Sequence, residues 1–217
     1  MKNLSKYIDH TLLKQDATIT MIEKLCNEAN EYNFFSVCVN SCYVSDVKKF
    51  LQNSSVKVCS VVGFPLGAMS TKAKTYEAQI AIEEGADEID MVINIGWVKS
   101  KQYDRVKDDI LSLNNICKNI TLKVIFETAL LNEEEILKIS EISKEVGVGF
   151  VKTSTGFSSR GASLEDINLM KSVVKDSVEI KASGGIRSYE KAIEMISAGA
   201  TRLGTSSGIA IINNSCK

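Results

Sequence analysis

Short apolar runs alternate along the chain with stretches in which apolar and polar residues follow helical spacing. The apolar runs predict strands, because they are short and rich in β-branched residues. They lie at Ser5–Thr11, Phe34–Asn40, Lys57–Gly63, Glu88–Asn94, Leu122–Thr128, Gly149–Ser154, Val178–Ser183 and Arg202–Gly204. The intervening stretches predict amphipathic helices at Ile19–Tyr32, Thr71–Glu84, Gln102–Cys117, Glu133–Val146, Leu164–Lys175 and Tyr189–Ala198.

This alternation predicts an α/β fold, a parallel (β/α)₈ (TIM) barrel. The chain has 217 residues, which is compact for a barrel that typically needs roughly 250. A doubly wound open sheet is the alternative, because periodicity does not reveal whether a sheet closes on itself. Neither a low-complexity tract nor a linker interrupts the sequence. We therefore expect one catalytic domain over residues 1–217.

The composition narrows the classes of partner. The chain is 44% hydrophobic and 24% charged with a formal net charge of −1, which gives no reason to expect nucleic acid or an anionic membrane as partner. No apolar stretch approaches the roughly 20 residues of a membrane span. The segment Met1–Lys6 lacks the apolar core of a signal peptide, so we expect a cytoplasmic protein.

Cysteine and histidine usage argues against metal chemistry. The six cysteines are scattered without a C-x-x-C pair, which is typical of reduced thiols in a cytosolic chain. The sequence contains one histidine, His10, whereas His-rich metal sites need several. We expect neither a catalytic metal nor a cofactor.

Two lysines stand in apolar runs, Lys152 after Gly149–Val151 and Lys181 after Val178–Ile180. Desolvation and a second nearby ammonium both favour the neutral amine, which is the form that attacks a carbonyl. Asp90 lies in a third apolar run. Since the carboxyl ends of barrel strands share one active-site face, we expect these three residues to meet there. The alternative is one buried Asp–Lys ion pair with the other lysine facing solvent.

The three residues together favour Schiff-base chemistry. A neutral lysine condenses with an aldehyde, and the resulting iminium accepts electrons when a carbon–carbon bond breaks. A second, protonated lysine would favour the neutral form of the first, and Asp90 would shuttle protons. The residues alone leave open which lysine is the nucleophile.

Three loops rich in Gly, Ser and Thr follow predicted strands, and their backbone N–H groups could surround a phosphate. They are Thr153–Gly156, Ser183–Arg187 and Gly204–Gly208. The last two follow strands seven and eight, where barrel enzymes frequently bind phosphate. In the final loop, Ser206 and Ser207 are expected to begin a short helix whose N–H groups face the anion.

Ordered segments along nearly the whole chain resemble the deoxyribose-phosphate aldolase family. The segments are Ile8–Lys14, Val37–Asn40, Val62–Ala68, Glu88–Asn94, Lys123–Thr128, Phe150–Phe157 and Lys181–Arg187. The resemblance implies a (β/α)₈ class I aldolase that reversibly cleaves 2-deoxy-D-ribose 5-phosphate to acetaldehyde and D-glyceraldehyde 3-phosphate in deoxyribonucleoside catabolism. It implies that Lys152 forms the Schiff base, that Lys181 is its charge partner and that Asp90 relays protons. The implied phosphate contacts are Gly156, Gly184, Gly185, Gly204, Ser206 and Ser207.

Two alternatives remain, a phosphosugar isomerase or epimerase on the same barrel and a non-catalytic phosphosugar-binding barrel. Barrels of this type often dimerise, so a homodimer is one candidate state. The family often has Gly-Pro-Gly-Gly-Ala where this chain has Ser158–Ala162, and Arg160 in that segment is expected to add an anion contact. Glu127 is expected to hold Lys152 or Lys181 in place, or to form a structural buried ion pair.

Overall fold

The computed structural model describes residues 4–214 and places eight parallel strands in a closed barrel. The strands are β1 (Ile8–Leu12), β2 (Ser36–Val39), β3 (Lys57–Val62), β4 (Glu88–Val92), β5 (Thr121–Ile125), β6 (Phe150–Lys152), β7 (Glu179–Ser183) and β8 (Arg202–Thr205). Each strand pairs with its neighbour in sequence, and β8 pairs with β1. This closure confirms the (β/α)₈ barrel and excludes the open sheet.

Helices surround the barrel. They are α1 (Ile19–Glu31), α2 (Val44–Phe50), α3 (Thr71–Glu83), α4 (Ile95–Lys99), α5 (Tyr103–Ile116), α6 (Glu133–Val146), α7 (Leu164–Val174), α8 (Tyr189–Ser197) and α9 (Gly208–Asn214). Short 3₁₀ turns occupy Leu4–Tyr7, Ser41–Tyr43 and Thr128–Leu130. Among the described residues, no helix is long and apolar enough to cross a membrane.

The differences from the predicted elements have local causes. Strand β1 begins at Ile8 rather than Ser5, because Leu4–Tyr7 forms a 3₁₀ turn. Helices α2 and α4 were not predicted, since they have seven and five residues and so show too few turns to display periodicity. Helix α9 begins at Gly208, just beyond the predicted start at Ser206 and Ser207.

Helix α6 has the bounds that the sequence predicts, and its ends explain why. The side chain of Asn132 accepts a hydrogen bond from the Glu135 N–H at 2.9 Å, and the Glu135 carboxylate accepts one from the Asn132 N–H at 2.8 Å. This reciprocal arrangement is a capping box. At the other end Gly147 adopts a left-handed conformation with φ 77°, which ends the helix at low steric cost.

The barrel strands alternate between an apolar outer face and a charged interior. In β4, Ile89 and Met91 belong to the main apolar core, whereas Asp90 between them is a fully buried charge. The parallel register places Asp90 opposite Lys123, and Lys152 opposite Lys181. Because side chains alternate along a strand, these four residues share the interior of the barrel.

A second buried ion pair lies outside the barrel, between α3 and α5. The Lys74 ammonium contacts the Asp109 carboxylate at 2.7 Å and donates to the Val92 carbonyl oxygen at 2.8 Å. Thr71 donates to the other carboxylate oxygen at 2.8 Å. Both charged side chains are fully buried. The pair therefore attaches the two helices to the end of β4, the strand that carries Asp90.

Replacing Lys74 with methionine is expected to lower the free energy of unfolding by about 3–5 kcal/mol, because it leaves the Asp109 charge buried without its partner. Urea denaturation would measure the loss. Lys138→Met is the matched control, since Lys138 pairs with Glu141 on the surface and such pairs contribute little. The double variant Lys74→Met/Asp109→Leu should regain much of the loss. A Lys74→Met protein as stable as the control would contradict the prediction.

The cysteines that the structure describes, Cys26, Cys38, Cys42, Cys59 and Cys117, carry free thiols. The sixth, Cys216, lies outside the described residues.

Candidate active site

The structure brings Asp90, Lys152 and Lys181 together inside the barrel. The Lys152 ammonium nitrogen lies 2.7 Å from Asp90 Oδ2, and that of Lys181 lies 2.8 Å from the same oxygen. Both lysines are buried, so the alternative of one ion pair and one solvent-facing lysine is wrong. Lys152 is the last residue of β6, but Asp90 and Lys181 lie in the middle of their strands rather than at the ends.

Further charged residues extend this group into a network that the sequence prediction did not include. Lys123 Nζ lies 2.8 Å from Asp90 Oδ1 and 2.7 Å from Glu88 Oε2. Lys181 also contacts Asp9 at 2.5 Å. Lys123 has the same signal as the two predicted lysines, since it stands in the apolar run Leu122–Phe126.

Arg202 joins the two carboxylates at the other side of the network. Its guanidinium lies 2.9 Å from Asp9 and 3.1 Å from Glu88. It also stacks over the ring of Phe35, with its central carbon 3.4 Å from the ring centroid. A planar guanidinium suits this combination of two ion pairs and one aromatic face. Arg202 therefore holds Asp9, which in turn holds Lys181.

The electrostatics favour a charged Asp90 and a protonated Lys181. Burial alone would raise the pKa of Asp90, but Lys123, Lys152 and Lys181 hold that pKa well below its ordinary value. Burial likewise opposes charge on Lys181, yet the carboxylates of Asp9 and Asp90 raise the pKa of this lysine. Lys181 is thus a fixed positive charge beside Lys152.

The charges of the network do not balance. The carboxylates of Asp9, Glu88 and Asp90 face the four cationic groups of Lys123, Lys152, Lys181 and Arg202. When every group carries its ordinary charge, one positive charge is in excess in a region that water barely reaches. Since an uncompensated buried charge is costly, loss of one proton from a lysine would make the network neutral.

A cavity of about 350 Å³ opens above this network, at the carboxyl ends of the strands. Lys152 lines the cavity, whereas Lys181 and Asp90 are fully buried behind it. The three predicted residues therefore differ in access. A carbonyl compound in the cavity would meet the Lys152 amine first.

The predicted phosphate loops also line the cavity. Five of the six predicted contacts line it, namely Gly156, Gly184, Gly185, Gly204 and Ser206. Ser207 does not line the cavity, and its N–H donates to Thr205 Oγ1 at 2.9 Å. That hydrogen bond closes the turn after β8 and engages the Ser207 N–H.

Close backbone approach explains two of these glycines. A Cβ on Gly204 would lie 2.5 Å from Ser183 Oγ and 3.1 Å from Lys181 Cε, so any side chain there would push against the buried lysine. Gly184 has φ 84°, and a Cβ on it would lie 2.9 Å from the Cα of Gly161. The loops after β6 and β7 are thus packed backbone to backbone at the cavity wall.

Two cationic side chains at the cavity wall were not among the predicted contacts. Lys14 follows β1 and Arg187 follows β7, and both line the cavity. Neither forms an ion pair with an acidic side chain among residues 4–214. Their charges are available to an anion at the end of the cavity that the glycine loops form.

Arg160 and Glu127 have other partners than predicted. Arg160 pairs with Asp166 through both guanidinium nitrogens and donates to the Thr128 carbonyl oxygen at 3.1 Å. It therefore braces its own loop and is engaged away from the cavity. Glu127 accepts hydrogen bonds from Thr155 and contacts neither Lys152 nor Lys181 as an ion pair.

One group of side chains has the spacing of metal ligands. Ligand atoms of Cys38, Cys59 and Asp90 lie within 4.8 Å of one another. However, Asp90 also contacts three lysine ammonium groups, and their charges oppose a cation at this position. The donor set is better suited to holding protonated lysines than to holding a metal.

Known proteins with similar sequences are aldolases, which agrees with the lysine-lined cavity described above. Residues 4–217 match the family described as DeoC/LacD family aldolase. The deoxyribose-phosphate aldolase of Finegoldia magna is 62% identical over 209 residues, which cover 96% of this chain and 98% of the relative.

Solved structures agree with this relationship. An aldolase called QR15 is 44% identical with a TM-score of 0.95, covering 100% of this chain and 97% of that one. A deoxyribose phosphate aldolase from Aeropyrum pernix, described as a tetramer, is 32% identical with a TM-score of 0.92, covering 99% and 91% of the two chains. The chain belongs to the DeoC/LacD aldolase family.

Proposed function

We propose that the protein is a class I aldolase that reversibly cleaves 2-deoxy-D-ribose 5-phosphate to acetaldehyde and D-glyceraldehyde 3-phosphate, in deoxyribonucleoside catabolism. The observation that carries the proposal is the position of Lys152. Its amine reaches the cavity, the ionised Asp90 carboxylate contacts it from behind, and the same carboxylate oxygen also contacts the protonated Lys181. A Schiff-base enzyme needs this combination of access and charge.

The chemistry begins at the open-chain sugar aldehyde. Neutral Lys152 attacks C1, and the carbinolamine loses water to give an iminium. Removal of the proton from the C3 hydroxyl lets the C2–C3 bond break, so that C3 becomes the aldehyde of glyceraldehyde 3-phosphate. The bonding electrons pass into the iminium and form an enamine. Protonation at C2 and hydrolysis then release acetaldehyde and restore the lysine.

Asp90 and Lys181 have separate parts in the proton transfers. Asp90 Oδ2 lies within hydrogen-bond distance of the Lys152 nitrogen, so it can exchange protons with that nitrogen and with the carbinolamine hydroxyl. Lys181 stays protonated because Asp9 and Asp90 hold it, and it shares with Lys152 the same oxygen of the Asp90 carboxylate. Lys152 is thereby the nucleophile and Lys181 its charge partner.

The phosphate would occupy the glycine-rich end of the cavity. Gly156, Gly184, Gly185, Gly204 and Ser206 line that end, where backbone N–H groups and the charges of Lys14 and Arg187 would face the phosphate. Ser207 has its N–H engaged with Thr205, so it would support this loop rather than bind the phosphate through that group.

Replacing Arg187 with methionine is expected to raise KM for 2-deoxyribose 5-phosphate by about tenfold, the loss of one charge-assisted contact. Cleavage of unphosphorylated 2-deoxyribose should change little, because that substrate carries no charge for Arg187 to bind. Arg105→Met is the control, since Arg105 lies near the Trp97 ring. Equal losses with both sugars would show that Arg187 does not act through the phosphate.

A direct assay tests the proposed function. The protein is incubated with 2-deoxyribose 5-phosphate, both product aldehydes are quantified, and borohydride is added to trap the imine. An adduct on Lys152 together with both products supports the aldolase. Isomerised sugar without cleavage would instead indicate an isomerase or epimerase. Binding without turnover or adduct would indicate a binding protein.

Two features remain predictions for this chain. A homodimer is one candidate assembly, and light scattering after size-exclusion chromatography would measure it. A single domain over residues 1–217 predicts one cooperative unfolding transition.

A further inference from the structure

Glu127, the second residue after β5, has a backbone conformation that is unusual for a glutamate. Its φ of 55° and ψ of 62° lie in the left-handed region, which side chains other than Gly, Asn and Asp seldom adopt. The residue is also only 3% exposed. Such conformations persist where the surrounding structure holds them, and they cluster at functional sites.

The left-handed turn lets two flanking residues bind the end of β6. The Phe126 N–H donates to the Lys152 carbonyl oxygen at 2.9 Å, and the Thr128 N–H donates to the Thr153 carbonyl oxygen at 3.0 Å. The backbone on both sides of Glu127 is therefore hydrogen-bonded to Lys152, which we propose as the nucleophile, and to Thr153.

The Glu127 side chain adds a third contact, to Thr155. The Thr155 hydroxyl donates to the Glu127 carboxylate, and the Thr155 N–H lies 3.4 Å from each carboxylate oxygen. The Phe157 N–H in turn donates to Thr155 Oγ1 at 3.0 Å. The pKa of Glu127 lies above its ordinary value, because burial raises it by more than the hydrogen bonds from Thr155 lower it. The only hydroxyl proton of Thr155 is thus committed to Glu127.

Thr155 itself lines the cavity beside Lys152 and Gly156. Its oxygen already donates to Glu127 and accepts from Phe157, which leaves one lone pair. That lone pair can accept a hydrogen bond, but the hydroxyl has no proton left to donate. A substrate group facing Thr155 would therefore have to be a donor, and a sugar hydroxyl is one.

We propose that Glu127 is a positioning residue, which holds the Thr155 oxygen towards the cavity as an acceptor for a hydroxyl of the sugar. The inference rests on the proposed aldolase function and goes beyond it. Glu127 acts through Thr155 and not by contact with the reacting atoms. Through Thr155, its carboxylate helps to bind a sugar hydroxyl and not the carbon that is bonded to Lys152.

Glu127→Gly separates this role from a structural one. Glycine adopts positive φ freely, so the variant keeps the turn that grips Lys152 and removes only the carboxylate. We expect an unchanged or higher Tm and a fall in kcat/KM for 2-deoxyribose 5-phosphate on the order of tenfold to a hundredfold. Borohydride trapping of acetaldehyde on Lys152 should keep the wild-type rate, because acetaldehyde carries no hydroxyl. Lys101→Gly relieves a similar left-handed conformation (φ 56°) at a residue that does not line the cavity and should leave activity unchanged.

Two further variants keep the test decisive. Glu127→Gln retains an oxygen that can accept the Thr155 proton, and should recover most of the lost activity. Thr155→Val should lose as much as Glu127→Gly, and the double variant should lose little more, because both changes break the same link. Thr155→Val also reads out the link if Glu127→Gly does not fold.

The outcomes separate this inference from the proposed function. A wild-type protein that does not cleave the sugar phosphate would overturn both. Wild-type cleavage with full activity in Glu127→Gly, or with additive losses in the double variant, would overturn the role of Glu127 alone. A Glu127→Gly protein that loses sugar cleavage and acetaldehyde trapping to the same extent, with a lower Tm, would also overturn this role, because it would indicate general damage to the fold.

Discussion

Replacing Lys152 with alanine is expected to abolish cleavage of 2-deoxyribose 5-phosphate, with a fall in kcat of roughly 10⁴-fold or more, as for the loss of other catalytic nucleophiles. Lys181 cannot take over, because it is fully buried and held by Asp9 and Asp90. The borohydride adduct should disappear with the activity. Mass spectrometry of trapped wild-type and variant proteins would measure both effects.

The same substitution should leave the fold intact. Without Lys152, the network has three cationic groups against three carboxylates, so its charges balance. Lys152→Met, which keeps most of the aliphatic stem, should therefore unfold in urea close to the wild-type midpoint. Substantial residual cleavage by Lys152→Ala, or an adduct on Lys181, would show that the nucleophile is wrongly assigned.

Replacing Asp90 with asparagine is expected to remove activity and also to destabilise the protein by about 3–5 kcal/mol, the usual cost of breaking a buried ion pair. Asp90 contacts three ammonium groups, those of Lys123, Lys152 and Lys181. The substitution removes the one carboxylate that they share, while the number of cations stays the same. Urea denaturation at neutral pH would measure the destabilisation, and the aldehyde assay the loss of activity.

A second substitution tests the electrostatic explanation. Lys152→Met placed in the Asp90→Asn protein removes one of the excess charges and should restore part of the lost stability. The two substitutions would then be non-additive, as expected for residues of one network. Additive effects, or an Asp90→Asn protein of wild-type stability, would mean that the excess charge is relieved in another way.

Much of the architecture follows from the sequence, because each barrel strand is a short apolar run and each long helix has a clear polar face. Helix α6 has the bounds that its amphipathic pattern predicts, and the structure shows that both ends are set locally, by the Asn132–Glu135 capping box and by Gly147. Helices α2 and α4 were missed, because five or seven residues form too few turns to show a period. Closure of the sheet depends on the contact of β1 with β8, which are far apart in the chain.

The candidate site divides in the same way. Isolated charges in apolar runs pointed to Asp90, Lys152 and Lys181 from sequence, because burying a charge costs free energy unless the charge is paired. Lys123 carried the same signal but was not recognised. The contacts of Glu127 and Arg160 could not be predicted, since each depends on which part of the folded chain the side chain reaches. Glu127 reaches Thr155, and Arg160 reaches Asp166.

The sequence by itself determined the kind of chemistry, lysine attack on a carbonyl beside a phosphate-binding loop, because side-chain type and local pattern are enough for that. Which lysine has access was decided by the tertiary structure alone. Lys152 and Lys181 are neighbours in the barrel register, yet Lys152 ends its strand and lines the cavity, whereas Lys181 lies deeper and is held between two carboxylates. Depth within a closed barrel depends on the stagger of its strands, which no local pattern in the chain records.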